Sequence, residues 1–132
     1  MPFGACLVKE GRVLASVHNA ARKTLDTTAQ TEMQAIREAS QRLRALELPG
    51  CVLYATCEPC PMCFSACEWS RVSRIVYGRR IQDAEKMGIR QIPILSNQMK
   101  QFSRSAIELF GDVLREESLE LFKAWVKSSG RP

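Results

Sequence analysis

Apolar positions at the start of the chain fall into two short β-prone runs, residues 2–9 and 12–17. The polar break Lys9-Glu10-Gly11 between them reads as a tight hairpin turn. From Thr28 the spacing becomes helical. Met33, Ile36, Ala39 and Leu43 recur at three- and four-residue intervals and predict one buried stripe, with Arg37, Glu38 and Arg42 off it. Pro49-Gly50 closes that segment, and Cys51 to Ala55 is a near-continuous apolar run, predicted as a strand covered on both faces. Pro59 opens a second helix predicted to run to about Ser70, followed by a strand from Arg74 to Tyr77 ahead of Gly78. A further strand is expected near Ile107 to Leu109. A final amphipathic helix is expected from Val113 to Val126, with Leu114, Leu119, Phe122 and Val126 on its core face. The order ββαβαβ, then a variable region and a helix, predicts an α/β sandwich around one sheet.

Composition narrows the class. The 132 residues suit one domain, and 45% hydrophobic with 25% charged residues is the balance of a chain that folds around a core. No apolar run reaches the roughly 18–20 residues of a membrane span. The N-terminus lacks the pattern of a secretory signal, so a cytoplasmic protein with no membrane partner is expected. A net charge of +5 permits an acidic partner such as RNA without requiring one. Arg71, Arg74, Arg79 and Arg80 bracket one predicted strand, either as a basic patch or as scattered solvated arginines. Of the six cysteines, Cys6, Cys51 and Cys67 sit among apolar neighbours and are expected in the core, whereas Cys57, Cys60 and Cys63 are clustered.

That cluster carries the chemistry. In Pro59-Cys60-Pro61-Met62-Cys63 the two cysteines stand three apart at a helix start, hence on one face. The free amides and dipole there favour thiolates, and two thiolates can hold part of a tetrahedral zinc site. The same spacing also serves paired cysteines that merely pack, or a redox pair using Cys57, Cys60 and Cys63.

Pro2-Phe3-Gly4-Ala5, His18-Asn19, Thr28-Ala29-x-x-Glu32 and Glu58-Pro59-Cys60-Pro61-Met62-Cys63 occur in an order and spacing that resemble the zinc-dependent cytidine/deoxycytidylate-type deaminases, most of all the guanine deaminase and tRNA adenosine deaminase branches. The resemblance covers Pro2 to about Gly88 well and the tail loosely. It implies a single deaminase domain over residues 1–132, folded as a three-layer α/β/α sandwich around a mixed five-stranded sheet. It implies Zn2+ held by Cys60 and Cys63, Glu32 as the general acid/base, and hydrolytic deamination of a purine base or nucleoside, guanine first. Deamination of a tRNA adenosine is the alternative. A homodimer is expected by the same resemblance. Asn19 would read the base edge, or serve as a turn residue. Ala29 and Pro59 would give backbone and wall contacts. Trp69 and Asp83 match guanine-site positions, or are a core tryptophan and a helix cap.

Two departures stand out. The position of the family's histidine ligand is Gln30, and the only histidine is His18. Gln30 can act as a neutral but weaker third ligand; Cys57 can replace it, though related guanine deaminases carry a non-ligand cysteine there; or the site is dead. Cys67 lies about 10 Å of helical rise from Cys60, too far to share the ion. The helix that usually precedes the Pro-Phe-Gly-Ala segment is also missing, which predicts exposed apolar surface.

Overall fold

A computed structural model describes residues 1–129. Strands β1 (Gly4–Lys9) and β2 (Arg12–His18) form an antiparallel hairpin. Glu10 and Gly11 at its tip have φ of 50° and 73°, the paired left-handed geometry of a tight hairpin. β3 (Cys51–Cys57) pairs antiparallel with β1, while β4 (Arg74–Arg79) and β5 (Glu108–Phe110) continue in parallel. The mixed five-stranded sheet has the order β2-β1-β3-β4-β5.

Helices α2 (Thr31–Leu43) and α3 (Pro61–Trp69) cover the face presented by Leu7, Leu53, Ala55 and Ile75. Leu7, Leu53, Phe64 and Ile75 are wholly buried there, each contributing about 1.5–3 kcal/mol. Short helices α1 (Ala21–Thr24), α4 (Ile81–Lys86) and α5 (Ser96–Ser103) were not foreseen, because their spans are too brief for a periodic pattern. α6 (Arg115–Ser129) packs against β4 and, with Leu114, Ser118 and Leu121, edges the other sheet face beside Cys6, Tyr54 and Val76.

The structure corrects several expectations. On α2 the expected Ala39 is buried and Ile36 packs against the core, but Thr31, Glu32 and Ala35 complete the inward face in place of Met33 and Leu43, so the helix turns small residues toward the sheet. β3 is covered on one face only, and Tyr54 is 45% exposed on the other. Cys6 lies on that open face, its thiol 3.4 Å from Ser16 Oγ, while Cys51 and Cys67 are buried as expected. Leu114 is exposed, since the chain reverses through Asp112 and Leu114 with positive φ before α6 begins. The four arginines form no common patch. Arg71, Arg74 and Arg80 pair with Glu47, Glu108 and Asp112, and Arg79 is fully buried.

Candidate active site

The parallel strands β3 and β4 end at one edge of the sheet, where α2 and α3 begin. A cavity of about 410 Å³ opens there, in the crevice beyond the strand ends where α/β folds place their ligands.

Two loops feed it. Asp26 accepts hydrogen bonds from the Thr28 amide and hydroxyl at 2.8 and 2.7 Å, and so shapes the turn that delivers Gln30 as the N-cap residue of α2. The Gln30 side chain makes no capping bond and is free to face α3. Cys60 is the N-cap of α3 with Pro61 behind it, which places Cys60 and Cys63 on the turn facing Gln30. Cys60 Sγ and Cys63 Sγ donate to Gln30 Oε1 at 3.2 and 3.4 Å.

Three donors from two helix starts therefore converge. A tetrahedral zinc with zinc–sulfur and zinc–oxygen bonds of ordinary length would set a sulfur–oxygen edge of about 3.5 Å, and both sulfur–oxygen edges here, 3.2 and 3.4 Å, lie within a few tenths of an ångström of it. Among the described residues, no three or more His, Cys, Asp or Glu side chains are grouped to hold a metal. A metal here depends on the Gln30 carbonyl oxygen. Cys57 lines the cavity but is 3% exposed, and burial pushes its thiol up to about 12.

Electrostatics sort the ionisable groups. The Cys60 thiol is pulled down to about 7, chiefly because Cys63 can donate to its thiolate, and Cys63 is correspondingly held protonated. Glu32, 7% exposed on the first turn of α2, has its carboxyl raised by burial and lowered in part by its own amide and by Cys63. A carboxyl poised this way can exchange protons at moderate pH.

Asn19, Gln30, Glu32 and Cys60 all line the cavity, with Cys63 buried just behind them. Asn19 Oδ1 accepts from the Ala21 amide at 3.1 Å, the turn role, which leaves its NH2 for a ligand. Ala29 and Pro59 are buried beneath the lining. Their carbonyls are occupied by the Ala20 amide and the Ser96 hydroxyl. Trp69 is 84% exposed at the end of α3, so it is neither core nor in this chain's cavity. Asp83 caps α4 by accepting from the Arg80 amide at 2.8 Å and pairs with Arg115. That guanidinium holds its carboxyl below the usual range.

Sequence reasoning missed the apolar wall formed by Met1, Phe3, Met62, Ile89 and Ile92. It also missed Glu58, 5% exposed, whose two oxygens accept from Ile81 N–H at 3.1 Å and Ser96 N–H at 2.8 Å, the first residues of α4 and α5. Glu58 thus ties the start of α4 to the start of α5, on either side of the stretch that carries Ile89 and Ile92. An acidic residue directly before a Pro-Cys pair was the one available signal.

A family model described as the cytidine and deoxycytidylate deaminase zinc-binding region matches residues 1–79. The chain belongs to this deaminase family. It is 37% identical over 124 residues to guanine deaminase of Bacillus subtilis (strain 168), a match covering 94% of this chain and 79% of the relative. It is 44% identical over 77 residues to the tRNA-specific adenosine deaminase of Aquifex aeolicus (strain VF5), covering 58% of this chain and 51% of that protein. The match to this deaminase thus spans only about half the length of that tRNA enzyme. Among solved structures, guanine deaminase from Nitrosomonas europaea superposes with a TM-score of 0.85 at 27% identity, covering 94% of this chain and 72% of that one. No helix among the described residues is long and apolar enough to cross a membrane.

Proposed function

We propose that this chain is a zinc-dependent hydrolytic deaminase of a purine base or nucleoside, with guanine as its first substrate. The observation that carries the reading is the convergence of Cys60, Cys63 and Gln30 on one point of a cavity that Glu32 also lines. The long match to a guanine deaminase supports the choice of base.

Zinc held by Cys60, Cys63 and Gln30 would supply a Lewis acid that makes water nucleophilic near neutral pH. Glu32 takes a proton from the attacking water and gives it to the ring nitrogen, then takes the remaining proton from the newly attached hydroxyl and gives it to the departing ammonia. The net change is water in, ammonia out, with the exocyclic amine replaced by a carbonyl. The free NH2 of Asn19 donates to an acceptor on the base edge. Phe3, Met62 and Ile92 enclose the planar ring and exclude bulk water. Trp69, exposed on α3, is offered to a second copy of the chain, so the working form is a homodimer. Asp83 acts indirectly, by holding the start of α4 at the cavity edge.

The test is ammonia release from guanine by freshly purified protein with its zinc content measured. The expected result is turnover that Glu32→Ala abolishes, whereas full activity in Glu32→Ala would remove the assignment. A second reading, a base-binding scaffold without turnover, is favoured by one observation. The Gln30 carbonyl satisfies both thiols as hydrogen-bond donors with no metal required. Binding of guanine without ammonia release, restored to turnover by Gln30→His, would establish it. Adenosine in a tRNA anticodon stem-loop is the third substrate to assay, given the relationship to the tRNA enzymes.

A further inference from the structure

Arg79 has the largest fully buried side chain among the described residues. Among the described residues no carboxylate pairs with it, and its Nε has no acceptor. A buried, uncompensated cation is unfavourable, and a methionine would fill similar volume without the charge. The placement of its bonds shows what the charge achieves. One terminal nitrogen donates to the Pro2 carbonyl at 2.9 Å, and the other to Ser118 O and Oγ at 3.0 and 3.2 Å. The guanidinium carbon sits 4.8 Å from the Phe3 ring centre and 4.4 Å from that of Phe122, while the two rings meet edge-on at 6.1 Å. The end of β4, the first residues of the chain and α6 are thereby joined at one group.

Phe3 is the aromatic part of the cavity wall, and its carbonyl accepts from the Asn19 amide at 3.1 Å. Pro2 and Phe3 precede β1; beside the Asn19 bond and the packing of Phe3 in a cluster with Cys57, Ala84, Ile89 and Phe122, the Arg79 junction is what ties this segment to the end of β4 and to α6. Desolvated stacking of a guanidinium on aromatic rings, combined with bonds to backbone carbonyls, gives the segment one position.

We propose that Arg79 is a positioning residue for substrate. It clamps Phe3 against α6 and so sets the ring that packs on the bound base, together with the Asn19 that Phe3 holds. This rests on the reading of the cavity as a base site. Arg79 makes no described hydrogen bond to Gln30, Cys60, Cys63 or Glu32, and of the cavity thiols it interacts only with the buried Cys57, so its removal should weaken ground-state and transition-state binding equally.

Arg79→Met and Phe3→Leu are compared with the unmodified protein, loaded with zinc, using guanine turnover and binding of 8-azaguanine. The expected result is a rise in KM and in the 8-azaguanine Kd of roughly tenfold for each variant, with kcat within about threefold. The double variant should be no weaker than the worse single one, because both remove the same contact. Arg79→Lys, which keeps the cation and one set of donors, should fall between and serves if Arg79→Met does not fold. Hydrogen exchange should quicken at the Phe3 and Asn19 amides in Arg79→Met. A variant that is merely less stable, with unchanged KM and Kd in its folded fraction, would overturn the assignment to Arg79. If the unmodified protein neither turns over guanine nor binds 8-azaguanine, the base-site reading fails first, and this assignment fails with it.

Discussion

Replacing Glu58 with Gln tests whether one carboxylate holds two helix starts and the cavity wall between them. Its oxygens accept from Ile81 N–H and Ser96 N–H at 3.1 and 2.8 Å, and both bonds are buried. Glutamine preserves the length but offers a single acceptor, so its NH2 must face one of the two backbone N–H groups. A hydrogen bond to a charged group contributes about 1.5–3 kcal/mol, and a buried amide left without a partner costs about 1–3 kcal/mol. The second amide keeps a weaker, neutral bond, and the 8-residue α5 can shift outward toward water. The net loss should therefore be about 2–4 kcal/mol. Urea unfolding at neutral pH should show a lower midpoint with an unchanged slope. Hydrogen exchange should quicken at Ile81 and Ser96 before it does in β3. A loss under about 0.5 kcal/mol, the ordinary scale of a surface change, would refute the idea that Glu58 joins these elements.

Glu32 gives stability a pH dependence of definite sign. Burial raises its carboxyl above the ordinary 4.5, so the folded chain holds that proton more tightly than the unfolded one. Its contribution is full below 4.5 and is lost as pH rises through the folded value. Glu32→Gln should gain stability relative to the unmodified chain across urea titrations from about pH 4 to 8; parallel curves would contradict it. Gln30→His should bind zinc at least about tenfold more tightly in competition with a chromophoric chelator, an imidazole nitrogen being the better ligand. Equal affinity would mean that Gln30 is not in the metal's shell. Trp69→Glu should shift a dimer to monomer in sedimentation at micromolar protein while leaving the melting temperature within a few degrees, whereas an unshifted dimer would place the interface elsewhere.

The residues proposed as metal donors were legible in the sequence because their pattern is local, and the structure brings them together. A proline-flanked cysteine pair at a helix start, with Gln30 at another, states its chemistry within a few residues. The hairpin, β3, β4 and the positions of α2, α3 and α6 were legible for the same reason, since each has its own periodicity or punctuation. The rest depends on contacts between distant segments. The α2 stripe was half right: Ala39 and Ile36 do face the core, but Thr31, Glu32 and Ala35 complete that face where the larger Met33 and Leu43 had been expected. The open face of β3 was misread because a continuous apolar run does not say whether a second layer arrives. Arg79 looked like one solvated arginine among four; only the arrival of Pro2, 77 positions earlier, and Ser118, 39 later, makes it interior.

The Arg79 junction also sets an order in time. The turn bearing Gln30 and the helix start bearing Cys60 and Cys63 are complete once β4 has emerged from the ribosome. Phe3 must wait for Phe122 in the last helix, 43 residues beyond the end of β4, and at about 5–20 residues per second that interval is roughly 2–9 s. A nascent chain can therefore bring Gln30, Cys60 and Cys63 together before the Phe3 side of the cavity is in place. Translation that stops short of α6 leaves the Phe3 ring and the Arg79 guanidinium without their partners, a fragment with Gln30, Cys60 and Cys63 in place and one side of the cavity still open.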